Sequence, residues 1–196
     1  MLKRIFDIIF SFLGMILLLP FFVIICLSII VNSGLPLFYF QERVGKNSRT
    51  FKLIKFRTMR ANSDKKGLLT IGGRDPRVTA IGYYLRKYKL DELPQLLNVL
   101  VGSMSLVGPR PEVSKYVNLY NAKQLQVLNV KPGITDFASL EFINENDLLA
   151  QSSNPEETYI NSIMPQKLDL NLQYIAQQSF MTDIKIITHT LLKIIK

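Results

Sequence analysis

Hydrophobic positions are spread unevenly along the chain. Residues 5–31 are almost continuously apolar, broken by Asp7, Ser11, Gly14, Pro20 and Ser28. As a straight helix this run would reach about 40 Å, against roughly 30 Å for the hydrocarbon core of a bilayer. A simple spanning helix is therefore long enough. Two features favour a bent segment that dips in and returns. Pro20 removes a backbone hydrogen bond in mid-run and kinks a helix there. Basic residues flank both ends, Lys3 and Arg4 before the run and Arg43, Lys46 and Arg49 after it. The positive-inside tendency then places both ends on the cytoplasmic face. A cleaved signal peptide fits less well, because no small-residue cleavage site follows a short apolar core.

Beyond this run the pattern changes. Residues 35–41 and 51–59 are rich in aromatic and β-branched types, and Asn47 and Ser48 offer a turn between them, which predicts a short β-hairpin. Lys55 and Arg57, two apart, would share a strand face, either as an ordinary solvated surface or as a cationic pair suited to a diphosphate. Residues 60–74 read as a mobile polar loop ending in Gly72-Gly73, and residues 80–88 as a helix. Leu93, Leu96, Leu97 and Leu100 then recur at helical spacing, with Pro94 in the first turn. Residues 112–130 read as two short helices and 131–135 as a turn. Asn154 is an N-cap, with Glu156 and Glu157 in the first turn of a helix running to about residue 178. Phe180, Ile184, Ile187, Leu191 and Ile195 line one side of a last helix that also carries Lys185, Lys193 and Lys196. That helix suits packing on the core and lying at the membrane interface equally.

The predicted class is α+β, mainly helical. Residues 1–34 form a proline-broken re-entrant anchor, helix–break–helix. Residues 35–196 form a small cytoplasmic, membrane-associated domain with a short hairpin and amphipathic helices at the interface. At 196 residues, one domain plus an attachment is the reading.

Charge sharpens the picture. Lys and Arg total 24 against 15 Asp and Glu, a net charge of +9, which calls for anionic partners such as lipid head groups or nucleotides. No Lys/Arg-rich run with interleaved aromatics appears, so nucleic acid is not expected as a partner. The single cysteine, Cys26, excludes an internal disulfide framework and a multi-cysteine zinc site. The lone His189 has no second ligand beside it in sequence.

The candidate chemistry lies in residues 85–112. Adjacent Asp91 and Glu92 stand at a predicted helix start, near unsatisfied backbone N–H groups and the positive end of the dipole. Arg86, Lys87 and Lys89 precede them, and Arg110 follows between Pro109 and Pro111. Two acids among several cations suit the handling of a metal and phosphates. Helix capping with solvated basic neighbours is the structural alternative.

Six short motifs occur in order: Glu42-Arg43-Val44-Gly45, Lys55-Phe56-Arg57-Thr58-Met59, Asp75-Pro76-Arg77-Val78-Thr79, Leu90-Asp91-Glu92-Leu93-Pro94-Gln95, Met104-Ser105-Leu106-Val107-Gly108-Pro109-Arg110-Pro111 and Lys131-Pro132-Gly133-Ile134-Thr135. In this order, behind an N-terminal apolar segment, they resemble the bacterial sugar transferases, specifically the small monotopic phosphoglycosyl transferases. They cover roughly the first two thirds of the chain. The resemblance implies transfer of a sugar 1-phosphate from a UDP-sugar, preferably an N-acetylated amino sugar, to polyprenyl phosphate. UMP is released, as the first membrane step of glycan assembly. It further implies a covalent intermediate on Asp91, with Glu92 holding Mg²⁺ beside Asp91 or accepting a proton. Arg110 becomes a fixed phosphate clamp, supported by Lys55, Arg57 and Arg86. The expected location is the cytoplasmic face of the bacterial inner membrane, with Pro20 at the helix break and phospholipid as a further partner.

Two departures stand out. Leu19 precedes Pro20 where relatives often carry serine. Asp136-Phe137-Ala138-Ser139 follows the last motif where many continue Gly-Trp-Ala-Gln, which leaves the sugar open. Oligomeric state is open as well, a homodimer included. A membrane-anchored scaffold and a metal-dependent phosphohydrolase of nucleotide sugars are the rival functions.

Overall fold

The computed structural model describes residues 2–60, 63, 69–72 and 75–195. The chain begins with one long helix, α1 (Leu2–Ser33), followed by strands β1 (Phe38–Val44) and β2 (Thr50–Phe56). Then come α2 (Ala80–Lys87), a 3₁₀ turn (Leu90–Glu92), α3 (Gln95–Val101) and β3 (Ser105–Val107). The rest comprises α4 (Ser114–Val117), β4 (Gly133–Thr135), α5 (Phe137–Glu141), α6 (Glu145–Ala150), α7 (Pro155–Thr158), α8 (Met164–Ala176) and α9 (Phe180–Ile195). The class is mainly helical with a small antiparallel sheet, as the periodicity predicts.

α1 runs through Pro20 as a single helix, so the expected break is not an interruption of its hydrogen-bonded run. It is long and apolar enough to cross a membrane. Asp7, Ser11, Ile25 and Ile29 are buried on one stripe, while Phe10, Phe12, Leu17, Phe21 and Val31 stand exposed. The stripe has helical spacing and packs on α2, α3 and β3. Asp7 and Ser11, two of the polar interruptions of the apolar run, thus mark the protein-facing side.

β1 and β2 pair antiparallel, from Phe38 opposite Phe56 to Val44 opposite Thr50. β1 is shifted three residues toward the turn from the predicted 35–41, β2 starts one residue before and ends three residues before the predicted 51–59, and Asn47 and Ser48 make the turn with positive φ angles of 56° and 60°. A second pairing was not predicted. Residues 131–135, expected to be a simple turn, supply β4, which runs parallel to β3 with Ser105 opposite Gly133 and Val107 opposite Thr135. A three-residue strand carries too little period to be read from sequence. Its signal is instead a pair of glycines. A Cβ on Gly133 would meet Gly108 N at 2.1 Å, so only glycine permits this approach of the two backbones.

α2 matches the predicted helix to within one residue, with Thr79 as its N-cap accepting from Gly82 N at 3.0 Å. Asn154 caps α7 as predicted, accepting from Glu157 N, and helix continues through a π segment (Tyr159–Ile163) into α8. Tyr159, Ile163, Met164 and Leu168 from this stretch close a core with Val113, Tyr116, Val127 and Leu149. α9 packs on this body through Ile186 and Ile187, beside Val107 and Tyr174, while Phe180, Met181, Leu191 and Leu192 face outward. Its buried side is therefore rotated from the predicted stripe. Most of the loop expected over 60–74 lies outside the described residues.

Candidate active site

Three elements converge on the carboxylate pair. β2 delivers Lys55, the 3₁₀ turn delivers Asp91 and Glu92, and the strand-to-loop exit after β3 delivers Arg110. Asp91 and Glu92 are both buried. Neither caps α3, whose N-cap is Pro94 with no side-chain bond. The capping alternative is thereby removed for this pair.

Glu92 accepts from Arg110 on both oxygens, Nη2 to Oε1 at 2.5 Å and Nη1 to Oε2 at 3.1 Å. This is a two-point guanidinium–carboxylate pair, the stronger and more directional kind. Lys55 Nζ adds a bond to Oε1 at 2.9 Å. Burial pushes the Glu92 carboxyl up, but Arg110 and then Lys55 outweigh it and hold the group well below the usual carboxylate range. Arg110 is raised in turn by Glu92. Burial lowers Lys55, with Glu92 opposing.

Asp91 differs. Burial raises its carboxyl, Lys55 opposes this, and the Glu92 charge adds to it. No hydrogen bond from the described residues reaches it. One acid is thus locked by two cations and the other is desolvated with open lone pairs, so neighbours in sequence have opposite properties.

The backbone around these groups is pinned. Asn98 of α3 lies against the edge of β2, where its Oδ1 accepts from Ile54 N at 3.0 Å and its Nδ2 donates to Lys52 O at 2.8 Å. These bonds bracket Leu53 and hold the strand just before Lys55. Asp136, fully buried, accepts from Arg110 N at 3.0 Å and from Ser139 N at 2.6 Å, so it caps α5 and fixes the Arg110 loop together. Sequence reading missed both roles. Asn98 sits in a leucine-rich helix without a distinguishing signal, whereas Asp136 stood out as a departure in a motif.

Of the predicted phosphate ligands, Lys55 and Arg110 meet at Glu92. Arg86 donates to Thr70 Oγ1 at 2.6 Å and lies within electrostatic reach of Asp91. Arg57 requires a correction. β2 ends at Phe56, so the two-residue alternation does not extend to Arg57. Its guanidinium turns instead to the carbonyls of Ser33, Gly34 and Leu35 at 2.6–2.8 Å. It closes the C-terminal end of α1, where a cation is favoured.

Among the described residues no group of three or more His, Cys, Asp and Glu could hold a metal. The open carboxylate of Asp91 nonetheless fits an ion such as Mg²⁺ that takes one or two carboxylates and keeps most of its ligands from substrate phosphates. Glu92 would have to share oxygens already engaged.

A model of the bacterial sugar transferase family matches residues 1–196. The chain belongs to this family. Among relatives, the uncharacterized sugar transferase EpsL of Bacillus subtilis (strain 168) is 38% identical, covering 99% of this chain and 87% of its own length. A second protein of that organism, provisionally named an undecaprenyl-phosphate N-acetylgalactosaminyl 1-phosphate transferase, is 45% identical over 57% of this chain and 62% of its own length. The UDP-glucose:undecaprenyl-phosphate glucose-1-phosphate transferase of Escherichia coli (strain K12) is 35% identical over 98% of this chain. This bacterial sugar transferase spans 40% of the length of that protein.

Proposed function

We infer that the protein is a phosphoglycosyl transferase that moves a sugar 1-phosphate from a UDP-sugar to polyprenyl phosphate, through an aspartyl intermediate on Asp91. The observation that carries this reading is the asymmetry of the pair: Asp91 open and desolvated, Glu92 locked by Arg110 and Lys55. In the first step an Asp91 oxygen attacks the phosphorus attached to the sugar. The bond from that phosphorus to the bridging oxygen breaks, and UMP leaves with the electron pair. In the second, an oxygen of polyprenyl phosphate attacks the same phosphorus, and Asp91 departs as carboxylate. A carboxylate nucleophile divides one displacement into two.

Arg110 and Lys55 stand ready to face the non-bridging oxygens, where charge must be neutralised. Glu92 keeps these two cations in place when no phosphate is bound. Mg²⁺, held by Asp91, with Glu92 in support, and by substrate phosphates, would supply further charge neutralisation. An N-acetylated amino sugar is the preferred donor, supported by the name of the relative at 45% identity. Relatives named for glucose transfer keep a plain hexose as the competing outcome.

The same reading includes a re-entrant anchor on the cytoplasmic face. Both ends of α1 are tied to the same globular body. Lys3 bonds Asp183 at 2.5 Å, Arg4 bonds Val99 O and Leu100 O, and Asp7 accepts from Ser105 Oγ and Leu106 N. At the other end Arg57 holds Ser33, Gly34 and Leu35. A crossing helix would carry the groups tied to one of these ends to the far side of the bilayer, roughly 30 Å away. The ties favour an anchor that enters and leaves on one side.

The test is intact mass of the detergent-solubilised protein after incubation with Mg²⁺ and a panel of UDP-sugars, without lipid. A gain of one sugar phosphate, absent in Asp91→Asn, is expected and identifies the sugar. Product formation by Asp91→Asn within a few fold of wild type would rule out Asp91 as nucleophile.

A further inference from the structure

The segment between the hairpin and the carboxylates carries two features that the chemistry above does not use. The first is an open apolar groove in which Ile81 and Tyr84 of α2 face Leu27 and Val31 of α1. Leu27, Val31 and Tyr84 are exposed. The groove ends at Asn32, whose Oδ1 accepts from Ile81 N, so it closes on polar atoms where α1 leaves its apolar run.

The second lies at the other end of α2, about 12 Å along the axis from Ile81. Lys89 adopts the left-handed conformation, φ 55° and ψ 19°, immediately before the turn that bears Asp91 and Glu92. Outside glycine and asparagine this conformation is unfavourable, and lysine has no short polar side chain to offset it locally. Such outliers persist where the surroundings demand them, often at sites of function. The Lys89 side chain stands on an exposed residue of the turn. It makes no hydrogen bond or ion pair with the described residues, yet lies in electrostatic reach of Arg110, Glu92 and Asp91. The other cations near the pair are engaged, Lys55 and Arg110 on Glu92 and Arg86 on Thr70.

We propose that α2 and the second half of α1 form the subsite for the lipid acceptor, with Lys89 holding its phosphate and the Leu27–Val31–Ile81–Tyr84 groove the isoprenoid units that follow the first. The assignment rests on the transferase reading above. Charge complementarity and continuity select this occupant. A free cation beside the nucleophile suits a phosphate monoester, and an apolar trough along the same short helix suits the chain attached to it. The trough borders the lipid-facing side of α1, so a membrane-dissolved substrate reaches it without leaving the bilayer. The chains of ordinary phospholipids are the competing occupant.

The experiment measures steady-state kinetics of the full chain in detergent, together with UMP release in the absence of acceptor. Lys89→Gly removes the cation and suits the backbone, because glycine enters the left-handed region freely. It is expected to melt no lower than wild type while the acceptor KM rises about tenfold, the loss of one charge-assisted hydrogen bond. The UDP-sugar KM should stay within about twofold, and Lys89→Arg should restore most of the acceptor affinity. Ile81→Trp fills the groove. It should raise the KM for a long polyprenyl phosphate and leave that for a short, soluble isoprenyl phosphate unchanged.

Unchanged acceptor KM in both variants, with UMP release intact, overturns the subsite alone. So does a rise confined to the donor KM in Lys89→Gly, or an equal effect of Ile81→Trp on long and short acceptors. The last result would mean that Ile81→Trp disturbs the site without meeting the chain, and an Ile81→Trp variant without effect on either acceptor would mean that the groove holds bulk phospholipid. If the wild-type protein releases no UMP from any donor, the transferase reading fails and takes the subsite with it.

Discussion

Because Arg110 and Lys55 both direct their donors at Glu92, neutralising that carboxylate leaves two partly buried cations facing each other. Removing one partner of a buried pair costs roughly 3–5 kcal/mol in enclosed sites. The Arg110 side chain is 31% exposed, so about 1–3 kcal/mol is the discounted expectation for Glu92→Gln. Asp91→Asn should behave in the opposite way. Burial disfavours the charged Asp91 and no hydrogen bond compensates it, so the neutral isostere should melt at or above the wild-type temperature while turnover is lost. Thermal unfolding in detergent, run beside a turnover assay, reads both. Equal destabilisation by the two variants would remove the asymmetry on which the nucleophile assignment stands.

Asp75 gives a prediction in pH. Its carboxyl is held below the ordinary value of 3.8, first by hydrogen bonds from Arg77, against the upward push of burial. A carboxyl depressed in the folded state adds stability above its unfolded pKa and loses it as pH falls through the folded one. Asp75→Asn should therefore melt below wild type at neutral pH, and the difference should close below about pH 4. A gap that stays constant into strong acid would show that the Asp75–Arg77 contact is not what sets it.

At the scale of elements, what could be read from sequence follows from periodicity. α2, α3, the α7–α8 stretch and the hairpin all carry enough residues to show a period, and each appears near its predicted place. The buried side of α3 was harder to foresee. Gln95, Leu96, Asn98 and Val99 turn inward where Leu93, Leu96, Leu97 and Leu100 were expected. Two polar residues replace leucines there, and Asn98 is inward because β2 needs a partner along its free edge. β3 and β4 escaped because they are short and 28 positions apart in register. At the candidate site, Asp91, Glu92, Lys55 and Arg110 were legible as a charged cluster around prolines. Arg57 was misplaced because β2 ends at Phe56, three residues before the predicted end and one before Arg57.

The element most informative for function is α5, only five residues long. Its N-cap Asp136 also holds the Arg110 amide, so a helix start and the Arg110 loop share one carboxylate. Asp136→Ala should cost about 1–2 kcal/mol as a lost cap and lower kcat by about tenfold or more through a displaced Arg110. Asp136→Asn, which retains an acceptor oxygen, should recover part of both. Loss of stability with kcat unchanged would reduce Asp136 to a cap.

On the scale of the whole molecule, the position of α1 relative to the membrane decides whether one small protein can meet a water-soluble nucleotide sugar and a lipid phosphate together. Lys3, Arg4 and Asp7 are bound to α9, α3 and β3, and the carbonyls of Ser33–Leu35 are bound to Arg57 beside β2. Carrying Lys3, Arg4 and Asp7 across the bilayer would break these bonds and move three charged groups through hydrocarbon, at about 2.5–3.5 kcal/mol each even on permissive insertion scales. The exposed apolar residues of α1, from Phe10 to Val31, would require only that its middle be immersed. Single cysteines test this directly. With Cys26→Ser as background, cysteine placed at Leu2 and, separately, at Asn47 of the hairpin turn should react with a membrane-impermeant maleimide in inside-out vesicles and not in intact spheroplasts. Both positions are exposed in the fold, so failure to label cannot arise from burial within the protein. Labelling of position 2 in spheroplasts and of position 47 in inverted vesicles would establish a crossing helix, and the polar ties at one end of α1 would then have to be absent in the membrane.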